Sequence, residues 1–182
     1  MTEVEIKLPI CGRADIEQKL QRIGFLAGRR VEESDVYFNS TLRDFRKTDE
    51  ALRIRSCDKG RRAFLTYKGP KVDAVSMTRK ELETEVGDGT VCQAILESLG
   101  YRPVSPVRKI RQYYQRDGMT ACVDEVENLG TFLELEIVVP SEKERETALR
   151  QIEKILAELG YSMADTTRVS YLSMLEKNMQ MK

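Results

Sequence analysis

Glu3, Glu5 and Lys7 alternate with Val4, Ile6 and Leu8 at the start of the chain. In an extended strand successive side chains point to opposite faces, so two carboxylates and an ammonium share one face and three aliphatics the other. The pattern returns. Glu81 and Glu83 share a face with Arg79 and Glu85, and Glu134 and Glu136 lie opposite Leu133, Leu135, Ile137 and Val139. Cys122 and Asp124 alternate with Ala121 and Val123. Basic residues also recur at spacing two, as Arg53 with Arg55 and Lys109 with Arg111, while Lys68 shares a face with Thr66. The carboxylates are hard oxygen donors with no imidazole or thiolate partner nearby, which favours Mg2+ or Mn2+ over zinc. The basic set is too numerous for one carboxylate substrate and suits a polyphosphate, which offers several oxygens to Arg and Lys. Metal plus polyphosphate points to phosphoryl or nucleotidyl transfer, in which catalysis is mostly positioning and charge neutralisation.

The elements that must position these residues follow from periodicity. Extended segments are predicted over 3–8, 29–39, 50–57, 62–69, 77–86, 106–116, 119–126 and 131–139, with Gly69-Pro70 ending the fourth. Lys59-Gly60-Arg61 and Asp117-Gly118 read as tight turns, and 41–49 as a loop or a single helical turn. Helices are predicted over 13–24, on Ile16, Leu20 and Ile23, and over 90–100, on Cys92, Ile95, Leu96 and Leu99. Ser141 with Glu144 reads as a capping box opening a helix to about 159, on Ile152, Ile155, Leu156 and Leu159. A last helix is predicted over 168–179, on Leu172, Leu175 and Met179. Three times a Glu-x-Glu strand leads to a helix ending in an apolar residue, glycine and an aromatic: Ile23-Gly24-Phe25, Leu99-Gly100-Tyr101 and Leu159-Gly160-Tyr161. This suggests an internally repeated unit.

The amphipathic helices need an apolar surface, and the aliphatic strand faces supply it. If the sheet closes beneath them, the charged faces line a lumen. Burying so many charges is costly unless they pair or bind ligands, so such a lumen reads as a functional site. An open sheet with its charged face in water is the alternative.

Composition narrows the classes. The 182 residues fit one domain, and 30 basic against 30 acidic residues argue against a general nucleic-acid binder. Histidine is absent, which removes imidazole bases and Ser-His or Cys-His pairs. Cys11, Cys57, Cys92 and Cys122 form no CxxC pair and read as buried free thiols in a reducing compartment. With no signal-like n- and h-region and no long apolar run, a soluble cytoplasmic protein without a membrane partner is expected.

Glu3-x-Glu5-x-Lys7 resembles the ExExK signature of the CYTH superfamily, the triphosphate tunnel metalloenzymes. The resemblance continues through Glu33-Ser34-Asp35-Val36-Tyr37-Phe38, Leu52-Arg53-Ile54-Arg55, Tyr67-Lys68-Gly69-Pro70, Arg79-Lys80-Glu81, Lys109-Ile110-Arg111, Val123-Asp124 and Glu134-Leu135-Glu136. It implies an α+β fold over residues 1–182: a closed eight-stranded antiparallel β-barrel, the tunnel, with helices packed outside. It implies Mg2+ or Mn2+ as cofactor, held by Glu3, Glu5, Glu134 and Glu136, with Glu81 and Asp124 as further candidates. Lys7, Arg53, Arg55, Lys68, Arg79, Lys109 and Arg111 would grip the triphosphate, and Glu5, Lys7, Arg111 and Asp124 would carry the catalysis. Glu83 and Glu85 are expected to be solvated or paired at the tunnel mouth.

Within the superfamily the chain is most similar to the class IV adenylyl cyclases, which convert ATP to cyclic AMP and pyrophosphate. Established cyclases carry a segment upstream of the signature, where this sequence has Met1 and Thr2. Hydrolysis of tripolyphosphate, thiamine triphosphate or a nucleoside triphosphate is the alternative, and a non-catalytic polyphosphate or nucleotide binder a second. Tryptophan is absent, so Tyr37, Tyr113 or Tyr114 would supply any aromatic stacking face. Apolar surface near the last helix is compatible with a homodimer.

Overall fold

The computed structural model describes residues 2–180. In chain order the elements are β1 (Thr2–Pro9), α1 (Arg13–Arg22), β2 (Leu26–Asn39), α2 (Phe45–Thr48), β3 (Ala51–Cys57), β4 (Arg62–Lys71), β5 (Arg79–Val86), α3 (Gly89–Ser98), β6 (Arg102–Pro103), β7 (Val107–Arg116), β8 (Met119–Val126), β9 (Gly130–Val139), α4 (Arg145–Glu158) and α5 (Tyr171–Gln180). Eight strands pair antiparallel in the order β3-β4-β5-β1-β9-β8-β7-β2, and the β2–β3 pairing closes the ring. β6 is a two-residue addition beside the end of β2. The α+β barrel with outer helices expected from the sequence is the fold that forms.

Alternation sorts the side chains as the period of two requires. Val4, Ile6 and Leu8 point outward and are buried with Ala121, Val123, Leu133 and Leu135 of β8 and β9. Ile16 and Leu20 of α1 and Ile152, Ile155 and Leu156 of α4 cover them, with Leu159 just beyond α4. The core therefore lies between barrel and helices, which leaves the interior of the barrel to polar residues.

The repeated helix endings share one geometry. Gly24, Gly100 and Gly160 have φ of 93°, 91° and 86°. Phe25, Tyr101 and Tyr161 then donate their amides to Leu20, Leu96 and Leu156 carbonyls five residues back. This is the Schellman ending, in which a left-handed residue turns the chain out of the helix and satisfies its last carbonyls. The Asp117-Gly118 turn also forms, with φ of 49° and 78°, linking β7 to β8.

Several local expectations are corrected. β4 does not stop at Gly69-Pro70 but runs to Lys71, with a register shift against β5 between Lys68 and Lys71 that accommodates the proline. The Ser141–Glu144 box does not cap α4: the Ser141 hydroxyl bonds the Glu144 carboxylate at 3.1 Å, and a 3-10 turn over Glu142–Glu144 leads into the helix. α3 packs through Leu96 and half-buried Cys92, leaving Ile95 and Leu99 55% and 70% exposed. α5 begins at Tyr171 rather than 168; Leu172 and Leu175 are half-buried but Met179 is 56% exposed. Of the cysteines, Cys57 and Cys122 are buried, Cys92 is intermediate and Cys11 is exposed; all four are free.

Candidate active site in the barrel lumen

The three Glu-x-Glu strands become neighbours: β5, β1 and β9 are adjacent in the ring. Their inward faces bring Glu81, Glu3, Glu5, Glu134 and Glu136 to one sector of a cavity of about 550 Å³, within the roughly 300–1,000 Å³ of small-molecule sites. Glu5 stands directly opposite Glu136 in the β1–β9 ladder. Like charges at such a position repel, and among the described residues neither carboxylate has a cation within 4.0 Å. Lys68 reaches this sector from β4, 2.6 Å from Glu81 and 3.5 Å from Glu3.

Burial followed by the Glu134 charge raises the Glu5 carboxyl to about 7. Burial also holds the Glu3 carboxyl well above its ordinary range, against Lys68, and Glu81 and Glu136 add to the upward push. Although burial pushes Glu81 up, its hydrogen bond with Glu3 and the charges of Lys68 and Arg53 bring it down to about 2. Glu136 is likewise raised, chiefly by burial. Glu3 Oε2 is sealed from solvent without an aligned hydrogen bond. No three carboxylates among the described residues form a ready-made cage. A set of hard oxygen donors, two of which, Glu5 and Glu136, have no cation beside them among the described residues, nonetheless fits a divalent cation.

The basic sector is held in order by Asp124 and by two carboxylates, Asp35 and Glu33, that the sequence did not single out as site residues. Asp35 on β2 accepts Arg55 Nε and Nη2 at 2.7 and 2.8 Å, with Arg53 at 3.4 Å and Lys109 at 3.5 Å. Glu33 lies 3.2 Å from both Arg55 and Lys109 and accepts the Tyr113 hydroxyl at 3.0 Å. Burial opposes the ionised form of both, but the surrounding cations win and hold Asp35 well below its ordinary range and Glu33 at about 2. Arg111 is gripped by Asp124 through two bonds, at 2.7 and 2.6 Å, and also contacts Glu134. Alternation alone puts Glu33 and Asp35 on the lumen face of β2; what makes them counter-ions is the β2–β3 closure, with Asp35 opposite Arg55, and the β2–β7 pairing, with Glu33 opposite Lys109.

The expected site residues divide accordingly. Glu3, Glu5, Glu81, Glu136 and Lys68 are brought together, with Arg53 3.6 Å from Glu81. Asp124 is not part of that group; it is fully buried, with its carboxylate on Arg111 and on the Tyr171 hydroxyl at 3.0 Å. Glu134 faces Lys7 in register yet turns to Arg111. Arg79 donates to the Gly69 and Asp49 carbonyls at 3.1 and 3.3 Å, at the cavity's edge. Glu83 accepts the Thr66 hydroxyl, and Glu85 pairs with Arg62 at an exposed position. Tyr37 and Tyr113 line the cavity, whereas Tyr114 is corrected to the outer core beneath the helices. Tyr171 lines the cavity from α5 and carried no signal beyond its place before an apolar helical stripe.

Residues 1–171 match the model of the CYTH domain. A protein of Methanocaldococcus jannaschii provisionally named an adenylate cyclase is 41% identical over 174 residues, covering 96% of this chain and 98% of that protein. The adenylate cyclase CyaB of Aeromonas hydrophila is 26% identical over 151 residues, covering 81% and 74%. Among solved structures, the PH1819 protein of Pyrococcus horikoshii superposes with a TM-score of 0.88 at 41% identity, covering 97% of this chain and 99% of that one. The chain belongs to the CYTH family, whose tunnel members are enzymes acting on triphosphates, generally with a divalent metal.

Proposed function

We propose that this protein is a Mg2+- or Mn2+-dependent enzyme that converts ATP to cyclic AMP and pyrophosphate within the barrel. The observation that carries the reading is the half-buried Glu5–Glu136 juxtaposition beside Glu3 and Glu81, in one cavity with Lys7, Lys68 and Arg53. Glu3, Glu5 and Glu136 would hold the metal, with Glu81 and Glu134 at its margin. Bound there, a divalent cation supplies Lewis acidity to a phosphoryl oxygen and to the attacking hydroxyl. Lys7, Lys68, Arg53 and Arg79 would bind the phosphate oxygens. Arg111 would orient one of them, set by Asp124. Arg55 and Lys109, already paired with Asp35 and Glu33, would add positive potential behind the substrate. In the reaction the ribose 3′-oxygen bonds to the α-phosphorus, the bond from that phosphorus toward the β-phosphate breaks, pyrophosphate leaves, and the hydroxyl proton passes to solvent water. The names of the similar proteins from M. jannaschii and A. hydrophila support the cyclase assignment.

Triphosphate hydrolysis is the second reading, because a cavity built to grip phosphates does not by itself choose which phosphorus is attacked. Incubation with ATP and Mg2+ or Mn2+, followed by phosphorus NMR and chromatography, separates the two. Cyclic AMP with pyrophosphate is the expected product pair. ADP with phosphate would replace the cyclase reading by the hydrolase, and no turnover of ATP, thiamine triphosphate or tripolyphosphate would overturn both.

A further inference from the structure

Lys7 is the exception among the strand-borne cations of the lumen. Arg53, Arg55, Lys68, Arg79, Lys109 and Arg111 each have a carboxylate within 4.0 Å. Lys7, though only 2% exposed, has none among the described residues. Its partner in the β1–β9 register, Glu134, is turned to Arg111. What stands against the ammonium is the Tyr171 ring, with Lys7 Nζ 4.3 Å from its centroid.

Tyr171 is the first residue of α5, so an element outside the strand ring delivers this ring to the lumen. Its position is fixed from several sides. Phe132 packs against it edge-on at 5.0 Å, and its hydroxyl donates to Asp124 at 3.0 Å. Just upstream, the Thr167 amide donates to the Lys7 carbonyl at 2.7 Å, and Arg168 donates to the Ser76 and Asp73 carbonyls at 3.0 and 2.6 Å. The segment before α5 is thereby fastened to β1 and to the β4–β5 connection.

The choice of a ring over a carboxylate has a physical consequence. A carboxylate beside Lys7 would hold the side chain and cancel its charge. An aromatic face attracts a cation through its quadrupole while carrying no net charge. We infer that Tyr171 is a positioning residue: its ring holds Lys7 in place with its charge free for a phosphate oxygen, and its hydroxyl, through Asp124, sets Arg111. The inference rests on the triphosphate reading above.

Calorimetric binding of inorganic tripolyphosphate in the presence of Mg2+ tests it, alongside turnover. Tyr171→Leu removes both contacts and should weaken binding about thirtyfold, the magnitude of one desolvated cation–π contact. Tyr171→Phe keeps the ring; its affinity should stay within about twofold while kcat falls, since Asp124 loses one of its three donors. In a Lys7→Met background, where Arg53, Lys68 and Arg79 still bind anions, the Tyr171→Leu effect on affinity should shrink to less than about twofold, because interacting residues are not additive. A merely structural Tyr171 would weaken binding equally in both backgrounds, and that result overturns the inference. So does wild-type affinity in Tyr171→Leu. If the leucine variant does not fold, Tyr171→Met keeps much of the volume against Phe132 and runs the same cycle. A wild-type protein that binds no tripolyphosphate would remove the triphosphate reading itself, a different failure from unchanged binding in the variants.

Discussion

Glu5 and Glu136 occupy one ladder position at a cost in stability, which the proposed metal site would explain. Two half-buried carboxylates opposite one another repel. Replacing one by its neutral isostere, Glu5→Gln, relieves that repulsion in the metal-free protein. The expected result is a thermal midpoint equal to or above that of the wild type, with turnover reduced by roughly a hundredfold or more. Thermal denaturation with chelator present, together with an activity assay, checks both; a destabilised variant of normal activity would contradict the assignment. These glutamates were legible in the sequence because strand alternation alone assigns their face. The roles of Asp35 and Glu33 were not, although they lie on the right face of β2. They act as counter-ions only because β2 closes against β3 and pairs with β7, and neither pairing is written in local periodicity. Tyr171 was hidden for another reason: it stands in a helical pattern, and that pattern speaks of packing rather than of the lumen.

The outer helices exist to cover the aliphatic strand faces, and they do so unequally. α4 buries Ile152 and Leu156 completely against β1 and β9, as its sequence stripe predicts. α3 buries much less, with Leu96 as its one buried residue. The apolar pattern revealed which residues face a partner but not how wide the contact would be. For α4 the consequence is separable from chemistry, since its buried side chains point away from the cavity. Ile152→Ala should cost about 2–5 kcal/mol of stability, as for other buried aliphatic truncations, while leaving the KM for triphosphate unchanged at temperatures where the protein stays folded. Denaturant titration and steady-state kinetics measure the two quantities, and a changed KM with unaltered stability would contradict the packing account. The glycine endings after α1, α3 and α4 were readable because a left-handed residue followed by an apolar contact leaves a three-residue trace.

Across the whole molecule, the barrel divides into an acidic sector short of cations and a basic sector with carboxylates of its own. The two differ in sign as pH changes. Glu33 and Asp35 have depressed carboxyl pKa values, so their contribution to stability is present above the ordinary carboxylate range and lost as pH falls through the folded value, about 2 for Glu33. Glu5 is raised from 4.5 to about 7, so its contribution to the stability of the metal-free protein is fully present below 4.5 and is lost as pH rises from there through 7. A cation must displace the proton, and its affinity should therefore rise with pH. Calorimetric titration of the protein with Mn2+ at pH 6, 7 and 8 tests the central claim most directly. The account predicts binding that strengthens as pH rises from 6 to 8, by about tenfold per pH unit for each proton displaced, and that is lost in Glu5→Gln. Binding that is absent at every pH, or equally strong in Glu5→Gln, would contradict it.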